Sequence, residues 1–457
     1  MRKIKEISAD TLTPISVYLR LKGKNKVILE SIPRENDQSR FSIIALNPVK
    51  HIKFTDGNLT INDEIISKDH PMEFLEKLVC QPEVTDENLD LPFTSGAIGY
   101  AGFDTYGIFE GIQPELTDTI GTPDMYFMLY ESAVIFDHKQ EKLIFIEDNV
   151  YSQRSEKELV TALSANIEAL SELTEAENEL TEINKMNFVS NMTQATFEEK
   201  VTAAKELIRN GDMFQIVLSQ RLTADFTDKP FDYYRKLRVE NPSSYMYFME
   251  FDNFHVIGSS PERLVAVHGN QVSTNPIAGT RKRGDNEFED QALIEELEND
   301  QKELAEHKML VDLGRNDIGK ISEYGSIEVP VFMKVEKYRY VMHITSEVTG
   351  KLRPEFTAMD ALSATLPAGT LSGAPKHRSY QRIYEFENQK RGIYGGAIGY
   401  LTKNGNCDFA IAIRTMVLKD KKAHVQAGAG IVYDSIPEHE YQETLNKAQG
   451  LLKLVNK

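Results

Sequence analysis

Apolar and polar positions change period along this chain. Over the first 150 residues the apolar positions come in short runs, 27–29, 41–45, 51–54 and 143–146, separated by turn residues, and they predict strands. Asp56-Gly57, between KHIKF and NLTIN, predicts a tight hairpin. Over 152–185 the period lengthens. Leu159, Leu163, Ile167 and Leu170 recur at helical spacing among Glu, Ser and Lys. A helix over 197–209 opens the second half, where both periods occur: DFAIAIRTMVL (408–418) alternates as one strand, and 288–313 and 437–454 read as helices. Three segments follow: a β-rich 1–150, a helical acidic connector 151–190, and 191–457. Strands and helices do not alternate as βαβ units, so the pattern predicts an α+β fold. The pentapeptide GAIGY stands at 96–100 and again at 396–400. Two glycine-rich strands packed closely would account for it, as would an old duplication, and the sequence leaves both open.

Composition narrows the function classes. At 457 residues the chain exceeds one compact core. Its net charge of −18 is the wrong sign for nonspecific nucleic-acid or anionic-membrane binding, so neither partner is expected. Two distant cysteines, Cys80 and Cys407, with no CxxC, argue against a zinc site or disulfide framework. The basic start, MRKIKEISADTLTP, has no apolar core, and no apolar run reaches a membrane-spanning length; a soluble cytoplasmic protein is expected. Tryptophan is absent from the chain.

Chemistry enters with two glutamate pairs. Glu303 and Glu306 share a helix face with Leu310 and Leu313; Glu440 and Glu443 repeat the spacing on the last predicted helix, on the side of Leu451 and Leu454. Ser435 and Glu438 have the spacing of a capping box for that helix. Carboxylates on the inner sides of two helices cannot all ionise unaided. A hard, oxygen-binding cation such as Mg²⁺ would resolve the conflict. Lys447 follows Glu443 by one turn, and Arg414 shares its predicted strand face with the small Ala410 and Ala412, leaving room for a carboxylate ligand or, equally, for a structural ion pair. Gly428-Ala429-Gly430, expected just after a strand, would let amides approach an anion. GTLSGAPK (369–376) lacks phosphate-loop spacing, and neither GxSxG nor HExxH occurs.

Six segments together carry a resemblance: AEHKMLVDLGRND (305–317), GTLSGAPK (369–376), YGGAIGY (394–400), AIAIRT (410–415), QAGAGIV (426–432) and PEHEYQETLNKA (437–448). In this order they resemble the chorismate-utilising enzymes, and within them the anthranilate synthase component I branch. The resemblance implies two β-sheets packed as a sandwich with flanking helices, a regulatory-type 1–150 segment and a chorismate-binding catalytic 191–457 segment. It implies Glu306 and Glu443 as direct Mg²⁺ ligands, with Glu303 and Glu440 holding the metal's waters. Arg414, Tyr394 and Lys447 would surround the substrate carboxylates, with amides from Gly428 and Gly430, and Gly279 and Thr280 would form the wall near the ring. Glu262, in SPERL (260–264), matches the acid for the departing C4 hydroxyl. His343, in VMHIT, matches the histidine for pyruvate loss, and Thr370 a threonine near the ring.

Two positions speak to the nucleophile. Gln215, in MFQIVLSQR, stands where family members that add water resemble one another in carrying a lysine base, and an amide cannot serve as one. Ala278, in PIAGT, stands where aminodeoxychorismate synthases carry a nucleophilic lysine. Ammonia is then the implied nucleophile, making the expected reaction amination of chorismate at C2 and pyruvate elimination to anthranilate, the first step of tryptophan biosynthesis. Neither cysteine sits in a nucleophile elbow, so a separate glutamine amidotransferase subunit (component II) is implied as the ammonia source. Leu29, Glu30 and Ser31 with Asn241, Pro242, Ser243, Tyr245 and Met246 resemble the segments that bind L-tryptophan in feedback-inhibited members; Ser244 departs from the usual proline. The alternatives are an aminodeoxychorismate synthase component I, against which Ala278 stands, and a non-catalytic tryptophan-binding paralogue, against which the retained polar set stands.

Overall fold

The computed structural model describes residues 1–31, 40–67, 70–81, 90–112, 116–174, 182–338, 341–452 and 454; part of the expected connector, 175–181, lies outside them. Its frame is two antiparallel sheets with helices on both outer faces, the α+β sandwich anticipated above. The inner layer joins Val27, Ile98, Tyr126, Tyr247, Ile398 and Val417, drawn from both sheets. On the outside of the first sheet, Ile28, Met246 and Phe248 meet helices through Tyr18, Tyr233, Leu237 and Leu451. On the outside of the second, Phe127, Val265 and Phe409 meet Leu75, Val311 and Leu362. Strand residues alternate between layers, Ile28 outward and Val27 inward, as a period of two requires.

The strand order has an internal two-fold pattern. The two GAIGY copies lie side by side as paired strands, Gly96–Ala101 against Ala397–Thr402, with Gly99 opposite Gly399, Ile98 opposite Tyr400 and Tyr100 opposite Ile398. Outward from this pair in the second sheet run Met125–Tyr130, Lys50–Thr55 and Asn58–Ile61 on one side, and Cys407–Ile411, Arg263–His268 and Gln271–Thr274 on the other. The first sheet repeats the arrangement about the pair Val27–Glu30 and Tyr245–Glu250. Strands of 1–150 and of 191–457 thus share both sheets. Glycine is required at both centres. A Cβ at Gly99 would lie 2.0 Å from the Tyr126 carbonyl oxygen, and one at Gly399 2.0 Å from that of Asp408.

The halves differ most in one connection. Between Glu64–Ser67 and Gly96–Ala101 runs residues 68–95; the matching stretch in the second half, 275–396, carries the strands Ile277–Lys282, Glu328–Lys337 and Val341–Lys351 and the helices Gln301–Gly319 and Lys376–Glu387. Gly279, Thr280, Glu303, Glu306, His343, Thr370 and Tyr394 all lie in that insertion. A candidate site can therefore form in one half only.

Most predicted elements appear. The hairpin at Asp56-Gly57 has both residues at positive φ, 48° and 77°, as a tight two-residue turn demands. Ser155 and Glu158 form a capping box that starts the connector helix Glu156–Ala169. Four expectations need correction. The strand expected over 408–418 is two strands, Cys407–Ile411 in the second sheet and Thr415–Lys419 in the first, because the chain crosses between sheets at Arg414, whose φ is 50°. The helix expected over 288–313 breaks at Asp300, whose side chain accepts from the amides of Lys302 and Glu303 and starts a new helix, Gln301–Gly319. Gly428 and Gly430 lie inside the strand Lys422–Ile431, not after it. Ser435 and Glu438 do not make a capping box: the helix begins at Pro437, and the Ser435 hydroxyl instead accepts from the Val432 amide and bonds Glu440.

Candidate active site

Helix phase sets the acidic residues. In Pro437–Leu452 the buried stripe is Glu440, Thr444, Ala448 and Leu451. Glu443 is one residue off that stripe, so its side chain is 47% exposed, where the sequence had suggested burial. In Gln301–Gly319, Glu303 and Glu306 are half-buried beside the buried Leu310. Each pair has a cation beside it, from the same helix in one case and from the strand Ile277–Lys282 in the other. Lys447 Nζ pairs with Glu443 Oε1 at 2.7 Å, and Arg281 with Glu303 Oε1 at 3.7 Å. Burial pushes the Glu306 carboxyl above its ordinary value, and repulsion from Glu303 and Glu443 adds to it. Burial does the same to Glu440, relieved by its Ser435 bond and aggravated by Glu443. Glu306 therefore feels Glu443 across the two helices, while Glu303 acts on Glu306 and Glu443 on Glu440 within one helix. Among the described residues, no three acidic, His or Cys side chains draw together into a ready coordination sphere.

Glu262 ends the crossover after Phe254–Ser260. Its side chain is buried, with one carboxyl oxygen accepting from Thr370 Oγ1 at 3.3 Å. Burial raises its pKa to about 8, against the opposing pull of Thr370, the Ile277 amide and the Lys447 charge. It is a protonated acid at neutral pH. Lys447 also acts on Glu306 and Glu440, so one ammonium links the acid to the carboxylate cluster.

The segment expected to form the ring wall is a β-bulge. Register slips between Ala278 and Thr280 where Ile277–Lys282 pairs with Val341–Lys351, and Gly279 takes φ 60°. A Cβ there would meet Leu297 Cδ1 at 2.9 Å and Glu303 Oε2 at 3.3 Å. The bulge turns the Gly279 carbonyl and Thr280 Oγ1 toward His343 Nδ1, at 3.1 and 3.0 Å. Since a carbonyl only accepts, Nδ1 carries the proton and Nε2 is the basic nitrogen.

On the opposite side, the glycines of Lys422–Ile431 make space rather than a turn. A Cβ at Gly428 would lie 2.9 Å from Tyr394 Oη, and one at Gly430 2.7 Å from Gln215 Nε2. Gln215 Nε2 in turn donates to Glu306 Oε1 at 3.5 Å, and Lys447 Nζ donates to the Gly428 carbonyl at 3.2 Å. Arg414 is held at the sheet crossing. Desolvation lowers its pKa, and Tyr394 is the group that opposes this; among the described residues no carboxylate neutralises it. An ion-paired structural arginine would show a carboxylate partner, and none is seen among the described residues. A desolvated guanidinium without a carboxylate partner suits a carboxylate ligand.

One organising residue carried no sequence signal. Arg391, fully buried, donates to the carbonyls of Leu371 at 2.7 Å and Val217 at 2.8 Å, pairs with Glu387, and lies 5.6 Å from the Tyr394 ring centroid. It ties the Thr370 turn, the Gln215 strand and Tyr394 together. An arginine before Gly-Ile-Tyr reads as surface until the packing is seen.

The expected regulatory residues form a separate group. Val27–Glu30 pairs with Tyr245–Glu250, placing Met246 opposite Glu30. Glu30 is buried and accepts from Tyr234 Oη at 2.6 Å and Arg238 Nε at 2.7 Å. Tyr245 Oη donates to Asp408 at 2.9 Å, and Asn241 packs beside Gly450 on the last helix. Leu29 flanks the inner layer, Ser31 is exposed, and Pro242 and Ser243 are half-buried. Ser244 is buried.

The chain belongs to the chorismate binding enzymes, whose family pattern matches residues 25–453. It is 91% identical to anthranilate synthase component 1 of Lactococcus lactis subsp. lactis over 454 residues, covering 99% of this chain and 100% of the relative. It superposes on anthranilate synthase component I from Streptococcus pneumoniae with a TM-score of 0.86 at 53% identity, covering 98% of this chain and 99% of that one. The menaquinone-specific isochorismate synthase of Escherichia coli, at 20% identity and a TM-score of 0.74 over 100% of this chain and 95% of that one, shares the fold. Among the described residues, no helix is long and apolar enough to cross a membrane.

Proposed function

We propose that this chain is the aminating subunit of an anthranilate synthase, converting chorismate and ammonia to anthranilate and pyruvate. The observation that carries this reading is the buried, protonated Glu262 in a site lined by Ala278 and Gln215 and no amine nucleophile at either position. Arg414 and Tyr394 bind the enolpyruvyl carboxylate. Ammonia adds at C2 while the Glu262 carboxyl gives its proton to the C4 hydroxyl, which leaves as water. His343 Nε2, its tautomer set by Gly279, then takes the C2 proton as pyruvate departs and the ring becomes aromatic.

The donor set suits Mg²⁺. Hard oxygens repel one another across two helices, and Arg281 and Lys447 neutralise only part of their charge. Glu306 and Glu443 would hold the ion directly, with Glu303 and Glu440 holding its waters. When bound, Mg²⁺ would supply positive charge for the ring carboxylate. Gln215 and Lys447 keep the inner carboxylates oriented meanwhile.

A glutamine amidotransferase subunit supplies the ammonia, since burial raises both cysteine thiols far above the range of a reactive thiolate. L-Tryptophan feeds back at the Leu29–Glu30–Ser31 and Asn241–Met246 group, on a sheet continuous with the strand bearing Gly428 and Gly430. A cytoplasmic location fits this chemistry. The purified chain should make anthranilate from chorismate, ammonium and Mg²⁺, and not from glutamine. Glutamine-dependent turnover without a second subunit would contradict the reading.

A further inference from the structure

Behind Glu262 lies a cavity that the reaction above does not use. It has a volume of about 40 Å³, and its lining includes Glu262, Thr370, Thr274, Gly314, Thr365 and Asp317. None of Ala278, His343, Tyr394, Arg414 or the four clustered glutamates lines it. At roughly 10–15 Å³ per water it has room for about three waters, and hydroxyl groups and carboxylates give them partners.

The outer end connects to the surface through charge. Asp317 is buried, and its Oδ2 accepts from Lys376 Nζ at 2.7 Å, while Lys376 also donates to the Thr365 carbonyl in the cavity wall. Asp317 Oδ1 meets Lys320 Nζ at 3.4 Å, and that lysine side chain is 54% exposed. A carboxylate thus stands where the cavity meets a solvated cation.

The reading of Glu262 as the acid creates a need. Each turnover removes its proton, and a buried carboxyl must recover one before the next. We propose that this cavity is the proton path that recharges Glu262, with Asp317 as the positioning residue that orients its outermost water. The balance closes. Glu262 loses a proton to the hydroxyl leaving as water. The ammonium group formed at C2 releases one to solvent. One proton then passes from solvent along the cavity waters to the Glu262 carboxylate. The inference rests on the proposed function, because Glu262 needs recharging only if it acts as the acid.

Two variants test it. Gly314 sits in a helix, and a Cβ added there would lie 3.2 Å from Thr274 Cγ2, on the cavity wall. Gly314→Ala therefore narrows the passage while favouring the helix. Asp317→Asn removes the carboxylate at similar size. With saturating chorismate, ammonium and Mg²⁺, both variants should complete the first turnover at the wild-type rate, because Glu262 starts protonated. Their steady-state kcat should fall roughly tenfold, and the slowing in D₂O should exceed that of the wild type. An unchanged kcat and D₂O effect in a normally folded Gly314→Ala would overturn the proposal. So would an equal loss in the first turnover, which would make the cavity a part of the site's shape. A loss seen only below saturating ammonium would overturn it too, by making the cavity an ammonia passage. Failure of the wild type to form anthranilate would instead overturn the proposed function.

Discussion

Replacing Glu262 by glutamine removes a proton and little else. The amide is nearly the same size and can still accept from Thr370 and the Ile277 amide. Burial raises the wild-type carboxyl from 4.5 to about 8. At about 1.4 kcal/mol per pH unit, the folded protein holds that proton about 5 kcal/mol more tightly than the unfolded chain does. The sign follows from which state binds it. A carboxyl raised on folding costs nothing below its unfolded value. Stability is lost progressively as pH rises from about 4.5 to about 8 and stays lost above. Glu262→Gln should therefore melt like the wild type near pH 4.5 and become the more stable protein toward pH 8 and beyond, by up to about 5 kcal/mol. Activity should move the other way, with kcat for chorismate and ammonium falling roughly 10²–10⁴-fold, the usual worth of a general acid. The wild-type rate, corrected for the free-ammonia fraction, should decline on the alkaline side with an apparent pKa of about 8, and the variant should lack that limb. Anthranilate fluorescence and thermal melts across pH 4–9 read both. A variant as fast as the wild type, or a stability gap that does not open with pH, would refute the assignment.

Other outcomes follow from the same geometry. Arg414→Ala should raise KM for chorismate roughly a hundredfold, the loss of a charge-assisted contact worth about 3 kcal/mol, with an undiminished melting temperature because no described carboxylate depends on it; an unchanged KM would return Arg414 to a structural role. His343→Met should accumulate the aminated intermediate, visible by chromatography, and a full anthranilate yield from that variant would remove the histidine from the elimination step. Mg²⁺ at a hundred times its Kd should stabilise the wild type by about 2.7 kcal/mol and leave Glu306→Ala unmoved; equal stabilisation of both would place the ion elsewhere. Gly399→Ala should destabilise by about 1–3 kcal/mol, since its Cβ would sit 2.0 Å from the Asp408 carbonyl oxygen; a neutral melt would contradict the tight strand pairing.

Local signals in the sequence were sound where the cause is local. The Asp56-Gly57 turn, the capping box at Ser155 and the alternation in the central strands depend on neighbours within a few residues, and each appears. Errors fall where a distant contact decides. The 408–418 run alternates throughout, yet the chain changes sheets at Arg414, because Ala410 and Ala412 pack between the sheets while Met416 packs outside the first. The break at Asp300 is the exception, a local cap inside a continuous helical pattern, where the Asp300 carboxylate accepts from the Lys302 and Glu303 amides. Glycines 428 and 430 looked like a turn because glycine composition cannot distinguish a bend from a strand that other side chains approach closely.

The identity of the chemistry-bearing side chains, the absence of an amine at 215 and 278, and the phase of each helix were written in the linear order of residues, since composition and period need no partner. What only tertiary structure decided is their environment. The pairing of two GAIGY strands builds a nearly symmetric frame, and the long insertion in one half adds Gly279, Thr280, Glu303, Glu306, His343, Thr370 and Tyr394 to it. Burial turns Glu262 into an acid, the crossing between sheets leaves Arg414 desolvated with no carboxylate partner among the described residues, and the packing of the Glu440–Thr444 side of the last helix leaves Glu443, one residue off it, at the rim instead of inside. Desolvation and distance are properties of packed neighbours, some of them as far along the chain as Thr370 is from Glu262, 108 residues.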